Sequence, residues 1–357
     1  MTSANKIPLW TILLPLTAWL VFIIGHYIHW PQFIFISAIV LIAAVLSAVH
    51  HAETIAHRVG EPFGTLVLAL AVTMIEVSLI VSLMFAGGKD TSVLARDTVF
   101  AAVMIILNGM IGLSIFSGGI RFREQKFIQQ GISAALITLV TISVLTLILP
   151  NFTVSVAGPF YNKQQLLFVA VVTLILYATF ILVQNVRHRD HFLAKDDEEE
   201  ITILPSKKIA WLSVFLLILC LGAVVFLAES LAPGLESWVR SIGAPVSLVG
   251  VIIALIVLLP EGLSAYHAAR KNQLQKSLNL SLGSALASIG LTIPTVSLVS
   301  LFTGLPLSLG IGASSTVLFL LSLFVIILSL STGKTTILQG VVLLLIFAIY
   351  IFTIIFP

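Results

Sequence analysis

The sequence predicts an all-α integral membrane protein with eleven transmembrane helices. Apolar residues make up 59% of its 357 residues, and charged residues make up only 9%. A soluble domain carries about 45–50% apolar and about 25% charged residues, so this chain could not cover a water-facing surface. The apolar residues also fall in runs of about 20, the length at which a helix spans the hydrocarbon core. Most of the chain must therefore face a lipid bilayer.

Eleven runs meet this length criterion. They are roughly 8–28, 33–56, 62–86, 94–119, 128–150, 164–186, 209–230, 245–268, 275–302, 309–330 and 335–356. Helices are expected because lipid offers no partner to an unpaired backbone group, and the runs lack the alternation of barrel strands. The first run resembles a signal peptide, but it is long and no small-residue cleavage site follows it, which favours a membrane helix.

The basic residues predict the orientation of the chain. With eleven spans, only four of the 18 Lys and Arg residues lie on the side opposite the N-terminus, namely Lys89, Arg96, Lys163 and Arg240. Basic loops remain in the cytoplasm, so the N-terminus is expected inside and the C-terminus outside. The chain is therefore expected to lie in a membrane that borders the cytoplasm.

The longest polar stretch, residues 187–208, is expected to be a cytoplasmic loop that divides the chain. It contains the acidic run 196–200, and such runs are typical of solvated loops, although this one could also attract cations. An N-terminal helix (1–31) and five helices (32–186) precede the loop, and five more (209–357) follow it. Repeats of five spans have opposite topology because five is odd, and inverted repeats are typical of secondary transporters.

Two glutamates lie inside membrane runs at equivalent places in the two repeats. Glu76 follows Ala69-Leu70 by seven and six residues, and Glu261 follows Ala254-Leu255 by the same distances. A carboxylate in the middle of a membrane helix costs about 2.5–3.5 kcal/mol on insertion scales, so its default interpretation is functional. A structural hydrogen bond inside the bundle is the alternative for each glutamate.

Oxygen-bearing side chains accompany the two glutamates. Thr73 lies one helical turn before Glu76, and Asn108 lies near mid-membrane on predicted helix four. Predicted helix nine carries six hydroxyls at intervals that keep them on one face: Ser277, Ser281, Ser284, Ser288, Thr292 and Thr295. Ordinary packing also favours small residues in membrane helices, so each hydroxyl is either a site-lining group or a packing group.

This chemistry indicates a transported hard cation and no resident cofactor. Carboxylate, hydroxyl and amide oxygens favour Ca²⁺ or other hard cations over zinc or copper. The same two carboxylates can carry protons when the cation leaves, and such competition at one site is what an antiporter requires. We find no catalytic, dinucleotide-binding or phosphate-binding motif, so neither an enzyme nor a nucleotide partner is expected, and the net charge of +3 gives no reason to expect a nucleic-acid partner.

A histidine-rich stretch at the cytoplasmic end of predicted helix two forms a further candidate site. His51, Glu53 and His57 lie within seven residues. Histidine titrates near neutral pH, so these residues could form the path by which protons enter from the cytoplasm. The alternative is a solvated helix end without a role in transport.

Several motifs resemble those of the Ca²⁺/H⁺ antiporter family of the cation/Ca²⁺ exchanger superfamily. The chain is most similar to the bacterial calcium/proton subgroup, also described as sodium–potassium/proton antiporters. The letters that carry the resemblance are His51-Ala52-Glu53, 56–64 (AHRVGEPFG), 76–80 (EVSLI), Arg96-Asp97-Thr98, 260–263 (PEGL), 279–294, which includes GSALA, and Ser331-Thr332-Gly333. The resemblance implies one N-terminal helix, two inverted five-helix repeats and alternating access. It also implies that Glu76 and Glu261 bind the cation and the proton, and that Ser284 lines their site.

The sequence departs from the broader family pattern at several ligand positions. Many members have Asn three residues before each glutamate, where this chain has Thr73 and Leu258. Many also have Gly-Ser and Gln where this chain has Ala101-Ala102 and Ala287. The leading hypothesis is export of cytoplasmic Ca²⁺ in exchange for H⁺. Na⁺(K⁺)/H⁺ exchange remains the alternative, a passive cation channel is a weaker one, and a homo-oligomer is left open.

Overall fold

A computed structural model of the chain describes residues 7–27, 33–60, 63–86, 91–192, 204–245 and 247–356. Helices dominate these residues. Their bounds are α1 Leu9–Tyr27, α2 Phe33–Val59, α3 Phe63–Ala86, α4 Thr91–Met104, α5 Ile111–Phe122, α6 Gln129–Ser143, α7 Lys163–Leu182, α8 Lys207–Ser241, α9 Ser247–Arg270, α10 Leu274–Thr303, α11 Ala313–Leu330 and α12 Ile337–Ile355. The strands β1 Glu124–Lys126 and β2 Lys334–Thr336 pair antiparallel.

Within the described part of the chain, three π-helical segments continue α-helices without a break. They are Ile105–Met110 between α4 and α5, Val144–Ile148 after α6, and Val183–Arg187 after α7. The first of them makes α4 and α5 one span, Ser92–Phe122, which corresponds to predicted helix four. The all-α prediction is therefore correct for the described residues apart from the two three-residue strands.

Nine helices among the described residues are long and apolar enough to cross a membrane. Two shorter apolar segments, Leu9–Gly25 and Val67–Ser82, lie in α1 and α3. The chain is thus a multi-pass membrane protein, and the count of eleven spans stays a prediction. The acidic run 196–200 lies outside the described residues.

α8 is longer than the sequence predicted. The prediction ended this helix near residue 230, before Ala232-Pro233-Gly234, but α8 continues through Pro233 to Ser241. A proline in a helix interior removes one hydrogen bond and strains the preceding turn. Membrane helices tolerate this when neighbouring groups satisfy the freed carbonyl, so the local signal did not end the helix.

The contacts divide the chain into two compact units. The first unit comprises Met1–Gly87 and Glu198–Val249, and the second comprises Gly88–Asp197 and Gly250–Pro357. Each unit draws residues from both sides of the predicted cytoplasmic loop. The units therefore differ from the predicted division into residues 1–31, 32–186, 187–208 and 209–357, which describes repeats and stays a prediction.

In the first unit, a proline in α1 determines how α1 meets α2. Pro15 has no N–H, so the carbonyl of Thr11, four residues earlier, lacks its usual helical donor. Two buried side chains of α2 replace it: the Ser47 hydroxyl donates at 2.8 Å and His51 Nε2 lies at 3.0 Å. A carbonyl can only accept, so His51 carries its proton on Nε2.

In the second unit, the non-helical segment that joins α10 to α11 is buried from residue 307 to residue 311. Ser308 and Leu309 are buried in it. The Arg96 guanidinium donates to the Gly310 carbonyl at 2.7 Å, and the Ile311 amide donates to the Leu147 carbonyl at 2.9 Å. Irregular backbone at membrane depth requires such partners because lipid supplies none.

The two strands close the opposite end of the second unit. Gln125 of β1 is buried, and its amide donates to the Ala269 carbonyl at 2.9 Å and to Asn272 Oδ1 at 3.1 Å. The flanking charges remain at the surface, where Lys334 pairs with Glu124 at 3.1 Å. This arrangement ties the α5–α6 connection to the turn between α9 and α10.

Candidate cation-binding site

Glu76 is a buried carboxylate in the first unit. It lies on α3 with 6% of its surface exposed, and Ile75, Leu79 and Ile80 around it in sequence are also buried. The Thr73 hydroxyl, one turn earlier and 4% exposed, donates to the Ala69 carbonyl at 2.8 Å. The Thr73 proton is therefore used within its own helix. Both predicted residues are therefore buried on α3.

Glu261 is the corresponding carboxylate of the second unit. It lies on α9 with 8% of its surface exposed. Pro260, inside the helix, has no N–H, so the Ile256 carbonyl lacks its usual helical donor. A Cβ added at the next residue, Gly262, would lie 3.5 Å from Met110 Cγ. α9 therefore passes directly against the end of the π-helical segment Ile105–Met110.

Asn108 lies within that π-helical segment and is fully buried. Its Nδ2 donates to Ser322 Oγ at 3.0 Å and to the Met104 carbonyl at 3.3 Å. Within the described parts of the chain, its Oδ1 has no hydrogen-bond partner. π-helical turns are frequent at functional sites, and a buried carbonyl oxygen without a donor suits a cation. The amide nitrogen is thus fixed on α11, and the amide oxygen remains available.

α10 carries the predicted face of hydroxyls as one continuous helix. Ser277, Ser281, Ser288 and Thr292 are buried, and Ser284 is half-buried. The hydroxyls of Ser277, Ser281 and Thr292 have no hydrogen-bond partner among the residues that the structure describes. This buried stripe of hydroxyls runs along the second unit, which also contains Glu261 and Asn108.

A resident metal cluster would need several strong ligands close together. No group of three or more His, Cys, Asp or Glu side chains with that arrangement occurs among the described residues. Any cation held by Glu76 or Glu261 therefore needs hydroxyl, amide, main-chain or water oxygens to complete its shell. Such a shell suits a hard cation that is bound and released.

The three residues of the predicted proton path lie on α2 but differ in access to water. His57 is exposed and Glu53 is half-buried, whereas His51 is fully buried. His51 Nε2 is used by the Thr11 carbonyl, and its Nδ1 has no partner in the described part of the chain. The structure therefore gives His51 a role in joining α1 to α2, and the proton path itself stays a prediction.

Most of the chain matches one known protein family. The sequence model described as sodium/calcium exchanger protein matches residues 29–186 and 212–356. The chain belongs to the sodium/calcium exchanger family. This match confirms the resemblance that the motifs around Glu76 and Glu261 predicted.

Two similar proteins and one solved structure each cover most of the chain. The y4hA protein of Sinorhizobium fredii is 44% identical over 354 residues, covering 97% of this chain and 95% of the relative. The sodium-potassium/proton antiporter ChaA of Escherichia coli is 36% identical over 319 residues, covering 88% and 86%. A solved structure of the Ca²⁺/H⁺ antiporter protein YfkE superposes with a TM-score of 0.71 at 20% identity, covering 97% of this chain and 99% of that one. At this identity, the structural likeness shows the exchanger fold.

The structure also reveals a carboxylate of this exchanger-family chain that the hydropathy pattern does not single out. The predicted run 209–230 ends next to Glu229, but Glu229 lies inside α8, where the Ser82 hydroxyl of α3 donates to it at 3.0 Å. The sequence offered one signal, the unbroken apolar run up to Leu227-Ala228. The Pro233-Gly234 pair, which is typical of a helix end, obscures this signal.

Proposed function

We propose that this protein is a secondary cation/proton antiporter in which Glu76 and Glu261 bind the cation and the protons alternately. The observation that carries the proposal is one buried membrane carboxylate in each of the two ranges that match the exchanger family. A charge buried in an apolar helix is costly unless it is neutralised. In a family of exchangers, two such carboxylates can bind the cation and the protons that are exchanged.

The charge balance explains why such a pair exchanges ions rather than conducting them. Two ionised carboxylates carry a charge of −2, which one Ca²⁺ or two protons neutralise. Either loaded form is neutral and can pass through the low-dielectric conformations between the two sides. The empty dianion is disfavoured there because its charges are desolvated and repel each other. Cation movement in one direction is thereby coupled to proton movement in the other.

The proposed architecture is one N-terminal helix followed by two inverted repeats of five helices, with the N-terminus in the cytoplasm and the C-terminus outside. The two family-matched ranges support it because they nearly coincide with residues 32–186 and 209–357. Equivalent backbone turns also support it. Gly60 before α3 and Gly243 before α9 have φ of +77° and +75°, a conformation that side chains rarely adopt.

Ca²⁺ is the leading substrate in this proposal, with a bacterial cytoplasmic membrane as the location. The hard-oxygen donors support Ca²⁺, as does the structural likeness to a protein described as a Ca²⁺/H⁺ antiporter. The second candidate is Na⁺ or K⁺, and the 36% identical ChaA of Escherichia coli, described as a sodium-potassium/proton antiporter, favours it. In that case one Na⁺ and one proton, or two monovalent ions, would neutralise the carboxylates.

We assign the surrounding groups as follows. Thr73 contributes an oxygen beside Glu76, and Asn108, Ser284 and Ser288 line the site on the side of Glu261. Glu53 and His57, which reach the surface of α2, carry protons from the cytoplasm. His51 lies at the buried end of this path and holds α1 in place.

The test measures proton movement in sealed vesicles that contain the full-length protein and a pH-sensitive dye. An imposed proton gradient is established, and Ca²⁺, Na⁺ and K⁺ are added separately at zero net current. The variants are Glu76→Gln and Glu261→Gln, which keep the side-chain volume and remove the charge. Glu236→Gln is the matched control because the Glu236 side chain is 42% exposed in the last turns of α8 and pairs with Arg240 on the same helix.

The proposal expects that at least one cation collapses the gradient with wild type and with Glu236→Gln, and that neither site variant supports this exchange. Collapse by Ca²⁺ alone identifies the leading substrate, and collapse by Na⁺ or K⁺ alone identifies the second candidate. Exchange that survives in both site variants would overturn the site assignment. Cation flux that proceeds without proton movement would indicate a channel and overturn the antiport proposal.

A further inference from the structure

Glu229 is a further carboxylate within a helix long and apolar enough to cross a membrane, and neither the exchange mechanism nor the site described above uses it. It is half-buried on α8, twelve residues before the helix ends at Ser241. Ser82 Oγ donates to Glu229 Oε2 at 3.0 Å, which joins α8 to α3. Membrane carboxylates lie against the protein interior or against water, because lipid cannot solvate them. The exposed part of Glu229 therefore indicates water beside α3 at this depth.

The backbone of the same residue supplies a further oxygen. Pro233 lies four residues after Glu229 inside α8 and has no N–H. The Glu229 carbonyl therefore lacks its usual helical donor. Pro260 likewise frees a carbonyl, that of Ile256, which lies five residues before Glu261. A carboxylate, a freed carbonyl and a hydroxyl oxygen are the ligand types that hard cations prefer.

The position of Ser82 on α3 shows how far these oxygens lie from Glu76 along the helix. Ser82 follows Glu76 by six residues on a continuous helix, which corresponds to about 9 Å along the axis. The predicted orientation of the chain places Ser82 and Glu229 on the outer side of Glu76. A cation that reaches Glu76 from outside, or leaves it toward the outside, would pass this level.

We propose that Glu229 and Ser82 form an outer station for the transported cation, in which the Glu229 carboxylate, the Glu229 main-chain carbonyl and the Ser82 hydroxyl hold a partly hydrated ion. This inference rests on the proposed antiport function and adds a residue to its pathway. Glu229 raises the local concentration of cations and thereby the rate at which they reach Glu76. It is not required for the exchange step itself.

Coulomb's law gives the expected size of this effect. We take a divalent cation at Glu76 and the Glu229 charge at the level of Ser82, about 9 Å away along α3. In a water-like dielectric, removal of this single negative charge lowers kcat/KM about fivefold. For a monovalent cation the same estimate gives about twofold. The effect requires low ionic strength, since the screening length is about 30 Å at 0.01 M salt but about 3 Å at 1 M. Glu229→Gln should therefore raise KM for the external cation, leave kcat close to wild type, and lose its effect in high salt.

The experiment compares wild type, Glu229→Gln, Ser82→Ala and the control Glu236→Gln by initial rates of cation-dependent proton movement. Right-side-out and inverted vesicles report the outer and the cytoplasmic faces separately. The expected result is a several-fold higher KM for Glu229→Gln at the outer face at low salt only, with a smaller change for Ser82→Ala and none for Glu236→Gln. Should Glu229→Gln fail to accumulate, Glu229→Asp keeps the charge and should restore the wild-type KM.

The outcomes separate this inference from the proposed function. If wild type exchanges ions and Glu76→Gln does not, while Glu229→Gln keeps the wild-type KM at both faces, the outer station is refuted and the antiporter stands. Equal loss of kcat and kcat/KM in Glu229→Gln at both faces and at all salt concentrations would indicate a structural hydrogen bond and would also refute it. If wild type itself moves no protons, the proposed function has failed.

Discussion

Gly340→Ala should destabilise the protein because α5 and α12 approach each other too closely for a side chain. A Cβ at Gly340 would lie 2.4 Å from the Phe116 amide nitrogen and 2.7 Å from Phe116 Cα. Non-bonded carbon atoms are most stable about 3.5–4.0 Å apart, so the two helices would have to separate by about 1 Å. Small residues at such contacts are typical of membrane helix packing.

The structure also indicates the size of the effect and provides a control. The contact is with main-chain atoms, which cannot rotate away, so we expect the upper part of the range for overpacking, about 2–3 kcal/mol. Gly283→Ala on α10 makes the same chemical change where no atom of the described residues lies within 4 Å of the new Cβ. Alanine is favoured over glycine in a helix by roughly 0.5–1 kcal/mol, so this control should be neutral or stabilising.

The assay is unfolding of the purified protein in mixed micelles, with the free energy of unfolding obtained from a denaturant titration of both variants and wild type. Opposite signs for the two substitutions are the expected result. A Gly340→Ala protein as stable as wild type would show that α5 and α12 do not pack as described, and would refute the reasoning. Destabilisation by both substitutions would show that glycine itself, rather than the close contact, is needed at these positions.

Two further predictions concern single hydrogen bonds. His51→Ala should cost about 1–3 kcal/mol of unfolding free energy, the usual range for removing one partner of a buried bond, because the Thr11 carbonyl loses one of its two donors. His51→Gln can keep a donor, so a pH profile of exchange that shifts in this stable variant would show that His51 carries protons. Burial raises the pKa of Tyr161 to about 12 while its hydroxyl donates to the Leu145 carbonyl at 2.6 Å. As the pH rises, the unfolded chain releases this proton first, so the contribution of Tyr161 to stability is full below about pH 10 and falls toward pH 12. Tyr161→Phe should remove this part of the alkaline loss of stability. A free energy of unfolding that falls with alkaline pH as steeply in Tyr161→Phe as in wild type would contradict this prediction.

Much of the fold could be predicted from the sequence because the hydrophobic signal in a membrane protein is local. Lipid demands about 20 apolar residues for every spanning helix, and each demand is met within one stretch of chain. The helices accordingly lie where the apolar runs are, with bounds that differ by a few residues. The exception is α8, where Pro233 and Gly234 suggested an end that tertiary packing overrode.

The candidate site was predicted in part, for a related reason. A carboxylate such as Glu76 or Glu261 stands out in an apolar run whatever its partners are. The π-helical turn that buries Asn108 left no comparable signal, because it depends on packing against α10, α11 and α12. The resemblance of short motifs to the exchanger family then gave these residues a joint interpretation.

The sequence by itself determined that the chain spans a membrane, which family it belongs to, and which two carboxylates are buried in it. Only the tertiary structure decided which groups meet across the chain. Ser82 and Glu229 are 147 residues apart, and Thr11 and His51 are 40 apart. Hydropathy is a property of each segment, whereas a hydrogen bond or a close helix contact depends on how distant segments pack. Glu229 could therefore be recognised as a membrane carboxylate with a partner only once α8 was seen to continue past it.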